Sequence, residues 1–273
     1  MQEPLKEKNN MKKTALITGA SRGIGRELAI IFARENCNLV ILARSIDLLE
    51  SLKTELQAKY KIEVYVIVKD LSKPQSPLEI FEELKQKSIK IDYLVNNAGF
   101  GKYGFLHESG SNIEQSMINV NILSLSLLTK LFLNEMVKTG FGKILNVSSV
   151  AAFQPGPLMA VYFASKSYVL SFSQALHNEV KDFGITVTAL CPGPTKSNFL
   201  SNAKLEKSRL FKGGNVAKAA DVALFGYRAM MKGKPVAIHG LINKILANSS
   251  RFVSRNLAVK ITRYKMNSSK KIK

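Results

Sequence analysis

The chain has 273 residues, 46% of them hydrophobic, with 40 Lys and Arg against 20 Asp and Glu for a formal net charge of +20. The apolar fraction excludes global disorder, and the length suits a single doubly wound α/β domain of about 250 residues. Two cysteines, Cys37 and Cys191, and three scattered histidines, His107, His177 and His239, stand in no CxxC or metal-ligand spacing. No metal site is expected, and both thiols read as reduced in a cytoplasmic setting.

Residues 1–11 form a charged tail without the apolar stretch of a signal peptide. Short β-branched runs then alternate with helical periods. Strands are predicted at Thr14–Thr18, Asn38–Ala43, Glu63–Val68, Asp92–Asn96, Gly142–Val147, Ile185–Leu190 and Pro235–His239. Helices are predicted at Ile24–Glu35, Ile46–Tyr60, Leu78–Lys87, Asn112–Lys138, Val161–Asp182 and Val216–Lys232. The run NLVILA (38–43) is apolar at both alternating positions, as a central parallel strand covered on both faces must be. The alternation implies βαβ crossovers and a Rossmann-type, doubly wound parallel sheet with helices on both faces. We expect one domain, residues 12–240, followed by a basic amphipathic extension, 241–273. No uninterrupted apolar run reaches the ~18 residues of a spanning helix. The nearest, Val120–Leu133, contains Asn121, Ser124, Ser126 and Lys130, so a soluble or peripheral protein is expected.

The first strand runs into Thr18-Gly19-Ala20-Ser21-Arg22-Gly23-Ile24-Gly25 and then a helix. Glycines allow a tight turn, close approach to a pyrophosphate and close helix–strand packing, and the helix N-terminus attracts phosphate. The spacing is GxxxGxG rather than the general GxGxxG fingerprint. The second strand ends in Arg44, where an NAD site usually carries an acid. With Arg22 it can clamp a 2′-phosphate, favouring NADP(H) over NAD(H); the competing reading is two ordinary surface arginines. Asp70, after the third strand, either meets the adenine amino group or forms a turn.

Tyr162 and Lys166 lie four apart, which on a helix places them on one face about 6 Å apart along the axis. An ammonium near a phenol lowers its pKa, and the pair can pass a proton to or from a carbonyl oxygen. Ser149 ends the fifth strand, where strand carboxyl ends face the ligand crevice, and can hydrogen-bond a substrate oxygen.

Taken together, TGASRGIG (18–25), NNAG (96–99), Asn121 in NVNIL, Ser149 in NVSS, YFASK (162–166) and PGPTKS (192–197) resemble the short-chain dehydrogenase/reductase family, in its order and spacing. The resemblance implies Tyr162 as acid/base and Lys166 as the residue that depresses its pKa and holds the nicotinamide ribose. It implies that Ser149 polarises the carbonyl and that Asn121 holds a water linking Lys166 to solvent. Gly19, Ser21, Arg22, Gly23, Ile24 and Gly25 would form the phosphate turn, with Arg44 and Asp70 at the adenosine end. Asn97, Ala98 and Gly99 would line the adenosine side, and Pro192, Gly193 and Thr195 the nicotinamide half. A homodimer or homotetramer through the two long helices is also implied.

The substrate pocket is expected from Phe100–Glu108, Val150–Leu158 and Lys196–Asn215, where Phe100, Tyr103, Phe105, Phe153, Phe199, Leu200 and Phe211 suggest a small lipophilic carbonyl or alcohol. Lys204, Lys207 and Lys212 can engage an acidic carrier or simply face solvent. A 3-oxoacyl-thioester reductase is therefore the nearer rival, and a non-catalytic, membrane-associated NADP-binding protein the rival of another class. From Phe183 onward there are 18 Lys and Arg but only Glu206 and Asp221. No nucleic-acid recognition motif accompanies that charge. Leu241–Tyr264 carries a helical apolar stripe, Leu241, Ile245, Phe252, Leu257 and Ile261, broken near Asn248–Ser250. It reads either as a helix on anionic lipid, aided by Lys265–Lys273, or as a helix packed on the domain or a neighbouring subunit.

Overall fold

The computed structural model describes residues 12–196, 216–249 and 252–267. Expectations that fall on residues 197–215, among them Phe199, Leu200, Phe211, Lys204, Lys207 and Lys212, lie outside the described residues, as do residues 1–11 and 268–273.

Seven parallel strands form the main sheet: β1 (Thr14–Thr18), β2 (Asn38–Ala43), β3 (Val64–Val68), β4 (Tyr93–Asn96), β5 (Gly142–Val147), β6 (Ile185–Cys191) and, after a short pair described below, Val236–Ile238 at the edge. The spatial order is β3-β2-β1-β4-β5-β6 and then the edge strand, so the winding reverses between β1 and β4. At such a switch point the crossovers leave a crevice beyond the strand carboxyl ends. The alternation of side chains divides each central strand between two cores. Ala15, Ile17, Leu39 and Ile41 pack on one face, and Leu16, Val40 and Leu42 on the other.

Helices α1 (Gly23–Arg34) and α2 (Ile46–Lys59) bury Leu28, Phe32, Leu49 and Leu52 against the first face. Helix α3 (Ser76–Gln86) buries Ile80 and Leu84 against the second. The predicted helix over 112–138 is continuous in direction but not in pitch. It comprises α4 (Ser111–Ile118), a π-helical stretch (Asn119–Ser124) and α5 (Leu125–Thr139). The wider turns coincide with polar side chains that leave the helix for neighbouring loops. Asn119 Nδ2 donates to the Ser72 carbonyl (2.9 Å), Ser124 Oγ to the Leu71 carbonyl (2.7 Å) and Asn121 Nδ2 to the Phe100 carbonyl (2.9 Å). Counted through these turns, Ser111–Thr139 is the one helix among the described residues long and apolar enough to cross a membrane. Polar residues punctuate it, which is why the sequence shows no uninterrupted apolar run of that length. Leu125, Leu128, Phe132 and Met136 are nevertheless buried on or beside the sheet, which makes it a core helix of the domain.

Helix α6 (Ala160–Val180) packs on β6, and α7 (Ala219–Met231) packs along α1. Two residues on each side of the undescribed segment pair as short strands, β7 (Thr195–Lys196) with β8 (Ala217–Lys218), where the sequence suggested only helix from Val216. The edge strand is thus β9. The C-terminal stripe resolves into α8 (Leu241–Ser249) and α9 (Arg255–Met266), the latter capped by Ser254, whose hydroxyl accepts from the Leu257 N–H.

A buried polar chain fixes the elements that carry the site. Asn96 Nδ2 on β4 donates to Thr129 Oγ1 on α5 and to Asn146 Oδ1 on β5, both at 2.9 Å. Asn146 Nδ2 donates to Ser173 Oγ on α6, also at 2.9 Å. Asn96, Thr129, Asn146 and Ser173 are all fully or almost fully buried, so each broken pair strands a polar atom. Asn146→Leu keeps the number of side-chain heavy atoms but leaves one Asn96 N–H unpaired. It should lower unfolding stability by about 1–3 kcal/mol, read as a shift in urea midpoint without a change in slope.

Candidate active site

The carboxyl ends of β1 and β4 are tied together at the switch point. Thr18 Oγ1 accepts from the backbone N–H groups of Asn97 and Ala98, both at 3.0 Å, and donates to the Val95 carbonyl (3.3 Å). Asn97 Nδ2 returns the tie by donating to the carbonyls of Thr18 (2.9 Å) and Gly19 (3.2 Å). Gly19 and Gly23 take the left-handed backbone (φ +66° and +56°), which glycine adopts without strain. Gly25 does not line the cleft. A Cβ there would strike the Gly19 carbonyl and the Asn97 amide, so this glycine lets α1 pack against the turn. Helix α1 opens without a side-chain cap and without an acid in its first turn, leaving N-terminal N–H groups for an anion.

Beyond these strand ends lies a cleft of about 790 Å³. At one end it is lined by Gly19, Ser21, Arg22, Gly23, Ile24, Arg44 and Asp70, and beside them by Asn97, Ala98 and Gly99. At the other end stand Ser149, Tyr162, Lys166, Pro192, Gly193 and Thr195. Neither Arg22 nor Arg44 forms a salt bridge with another described residue. Both readings of Asp70 hold in part: Oδ1 accepts from the Ser72 N–H (3.0 Å) in a turn, and the residue lines the cleft. Burial pushes its carboxyl up, but the Ser72 hydrogen bonds and then the charges of Arg44 and Lys73 outweigh that and leave it below its ordinary value. The glycine turn, the uncapped helix end and the two unpaired guanidiniums fit a phosphate-bearing dinucleotide.

Helix α6 carries Tyr162 and Lys166 one turn apart, with the Lys166 Nζ 5.8 Å from the centroid of the Tyr162 ring. The ammonium is buried and donates to the Val147 carbonyl at 2.8 Å. Burial lowers its pKa to about 8. Burial also pushes the Tyr162 phenol up to about 12, opposed by a hydrogen bond with Ser149. The Lys166 ammonium is directed at a backbone carbonyl, and the Ser149 hydrogen bond is what opposes the rise of the phenol. Ser149 is held as the cap of the turn Val150–Phe153, its Oγ accepting from the Ala151 N–H (3.1 Å). Asn121 is buried behind the cleft. Its Oδ1 accepts from the Phe100 N–H (3.1 Å), and its Nδ2 donates to Ser165 Oγ (3.0 Å) as well as to Phe100. A Cβ at Gly99 would come within 3.1 Å of Asn121 Oδ1 and 3.2 Å of Lys166 Nζ, so this glycine keeps open the gap between the two.

Several participants escaped the sequence reading. Ser148 Oγ donates to the Lys166 carbonyl (2.8 Å) and ties β5 to α6, and Ser165 Oγ donates to the Tyr162 carbonyl (2.7 Å). Both belong to quoted motifs, so their positions were visible although their partners were not. Thr262, Lys265 and Met266 of α9 also line the cleft. Tyr103 anchors α9 by donating its hydroxyl to the Met266 carbonyl (2.9 Å), and the Arg263 guanidinium lies 5.0 Å from the Phe105 ring. Met266 packs with Ala151, Leu158, Met159 and Phe163, which makes this end apolar. Of the aromatic residues expected around substrate, Phe100 lines the cleft, Tyr103 and Phe105 pack beside Met266, and Phe153 turns into the core with Leu170 and Cys191.

The buried lysine makes a pH signature. Its folded pKa, about 8, lies below the 10.5 of a free lysine, so between these values the unfolded chain binds more protons. Its contribution to stability is therefore unfavourable below pH 8 and is relieved as pH rises toward 10.5. Wild-type protein minus Lys166→Met should show an unfolding free energy difference that grows in favour of wild type from pH 8 to 10; urea titrations of both proteins measure it.

The comparisons agree with this geometry. A family model for short chain dehydrogenases matches residues 13–208. The human very-long-chain 3-oxoacyl-CoA reductase is 32% identical over 242 residues, covering 86% of this chain and 74% of that protein. The structure of a short-chain dehydrogenase from Sphingobium yanoikuyae in complex with NADPH is 28% identical with a TM-score of 0.79, over 88% of this chain and 93% of its own. A short chain dehydrogenase/reductase from Burkholderia phymatum in complex with NAD is 25% identical with a TM-score of 0.76, over 86% and 92%. These neighbours and the cleft support a nicotinamide dinucleotide as the class of cofactor. The chain belongs to the short-chain dehydrogenase/reductase family and is an oxidoreductase of hydroxyl and keto groups.

Proposed function

We propose that the protein is an NADPH-dependent reductase of a lipophilic ketone, with Tyr162 as proton donor. The observation that carries this reading is the hydrogen bond between Ser149 and the Tyr162 phenol, one helical turn from the Lys166 ammonium, in a cleft whose far end holds Arg22 and Arg44. A nicotinamide dinucleotide held between the glycine turn and Lys166 would supply hydride to the carbonyl carbon. Ser149 and Tyr162 bind the carbonyl oxygen, and Tyr162 gives it a proton as negative charge develops. With its pKa near 12, the phenol carries that proton at neutral pH, which suits the reductive direction. Lys166 stabilises the phenolate left behind and holds the cofactor ribose, and protons return through the gap that Gly99 keeps beside Asn121.

The cofactor phosphate is recognised by Arg22 and Arg44. A guanidinium presents paired donors to a phosphate, and no acid stands at the end of β2 to meet a free ribose hydroxyl. The apolar lining from Met159, Phe163 and Met266 favours a lipophilic substrate. A second reading, a 3-oxoacyl-thioester reductase, is favoured by the name of the human relative and by Lys265 at the cleft, a cation suited to an anionic carrier. Self-association is assigned to α4, α5 and α6, where Ile118, Val137 and Tyr168 are exposed.

Tyr162→Phe should reduce turnover by about 10²–10⁴-fold while NADPH affinity stays within about threefold of wild type, measured by NADPH absorbance and by fluorescence titration. Full turnover in this variant sinks the reading. Arg44→Asp should shift the NADPH-to-NADH preference toward NADH by about 10–100-fold in kcat/KM, the worth of charge-assisted hydrogen bonds. Assaying a free lipophilic ketone against a 3-oxoacyl thioester of the same chain length separates the two substrate readings by kcat/KM.

A further inference from the structure

The C-terminal helices are amphipathic in an inverted sense. On α8, Leu241, Ile242, Ile245 and Leu246 are 75%, 58%, 59% and 47% exposed. The side that faces the protein is the polar Asn243, which donates to the His239 carbonyl and abuts Gly193, together with the small Ala247. Phe252, in the connection to α9, is 90% exposed. On α9, Leu257, Ile261 and Tyr264 share a stripe at helical spacing and are all exposed, whereas Thr262 and Met266 are buried at the cleft. A helix of a soluble domain normally turns its large apolar residues inward, so an outward stripe of this size marks an interaction surface.

Charge selects the occupant. From Val236 to Lys273 the chain has nine Lys and Arg and no Asp or Glu. A symmetric contact between two copies would set these cationic rims against each other with no acid of the segment between them. An anionic bilayer offers both an apolar interior for the isoleucines and negative headgroups for the lysines and arginines. We propose that α8, Phe252 and α9 dock on an anionic membrane surface, with the mouth of the cleft beside the lipid. The two faces of α9 then have separate tasks: Thr262 and Met266 close the substrate end, and Leu257, Ile261 and Tyr264 enter the headgroup boundary. This inference stands independently of the substrate and cofactor readings, since it concerns binding of the resting protein.

The chain contains no tryptophan, so Phe252→Trp places a lone reporter on the surface. Its emission should shift to the blue with vesicles of phosphatidylcholine and phosphatidylserine, less with phosphatidylcholine alone, and the shift should reverse in high salt. Co-sedimentation of the full chain should fall by about 100-fold in partition coefficient for Ile242→Asp/Ile245→Asp, given the apolar area withdrawn. Thermal unfolding verifies that this double variant is folded; if it is not, Leu241→Ser, at the most exposed position of α8, supplies the same test with a smaller loss. Lys244→Glu/Lys260→Glu should weaken binding to the anionic vesicles only. An unshifted emission, equal binding by the aspartate variant, or a light-scattering mass that the aspartate substitutions halve would each overturn the proposal, the last in favour of a contact between copies.

Discussion

A buried ammonium is costly unless it is hydrogen-bonded, and one stands at the cleft where β5 ends. Lys166 reaches the Val147 carbonyl at the end of β5, and its own backbone carbonyl receives Ser148 Oγ from the same strand end. These two bonds fix how far α6 stands from β5. They thereby set Tyr162, one turn earlier, against Ser149. The local pKa values follow from the same burial: the lysine is pushed down to about 8 and the phenol up to about 12. Desolvation thus favours the neutral form of both groups, the amine of Lys166 and the phenol of Tyr162.

The two ends of the cleft are rigid for different reasons. At the phosphate end, stiffness comes from backbone: Thr18 and Asn97 interlock β1 with β4, and the glycines remove the Cβ atoms that would block the turn. At the reacting end it comes from buried side chains, the series Thr129, Asn96, Asn146 and Ser173 that runs from α5 through the sheet to α6. Such a series is worth keeping only when every member is paired, since a half-satisfied network is worse than an apolar one. The exception is Asn96 Oδ1, which accepts no hydrogen bond from a described residue.

The sheet was readable from sequence because its signal is local. NLVILA is apolar at both alternating positions, and β2 begins and ends where that run does. Tyr162 and Lys166 were readable as a same-face pair because four residues make about one turn. What the ammonium touches was not readable, since the carbonyl of Val147 lies 19 positions away. The π-helical turns were invisible for a related reason. Asn119 and Ser124 bond to carbonyls 47 and 53 positions earlier, and nothing in the apolar period records it. The contribution of α9 to the cleft depends on Tyr103 meeting Met266 across 163 positions, beyond any spacing argument. Phe153 and Phe163 show the limit within one segment: both are aromatic and close to motif residues, yet one faces the core and the other the cleft.

The inverted helices connect these observations to substrate chemistry. An apolar substrate is dilute in water and concentrated in a bilayer, so a reductase with an apolar pocket gains encounter frequency when its cleft opens beside lipid. The end of the cleft near Met266 is the apolar end, and the cationic phosphate turn lies at the opposite end. The proposed docking through α8 and α9 would therefore leave the cofactor end in water, where a charged dinucleotide must arrive, and bring the apolar end to the membrane. The basic residues proposed to meet anionic headgroups belong to a segment that also lines the pocket, so in that proposal α9 would face lipid on one side and the cleft on the other.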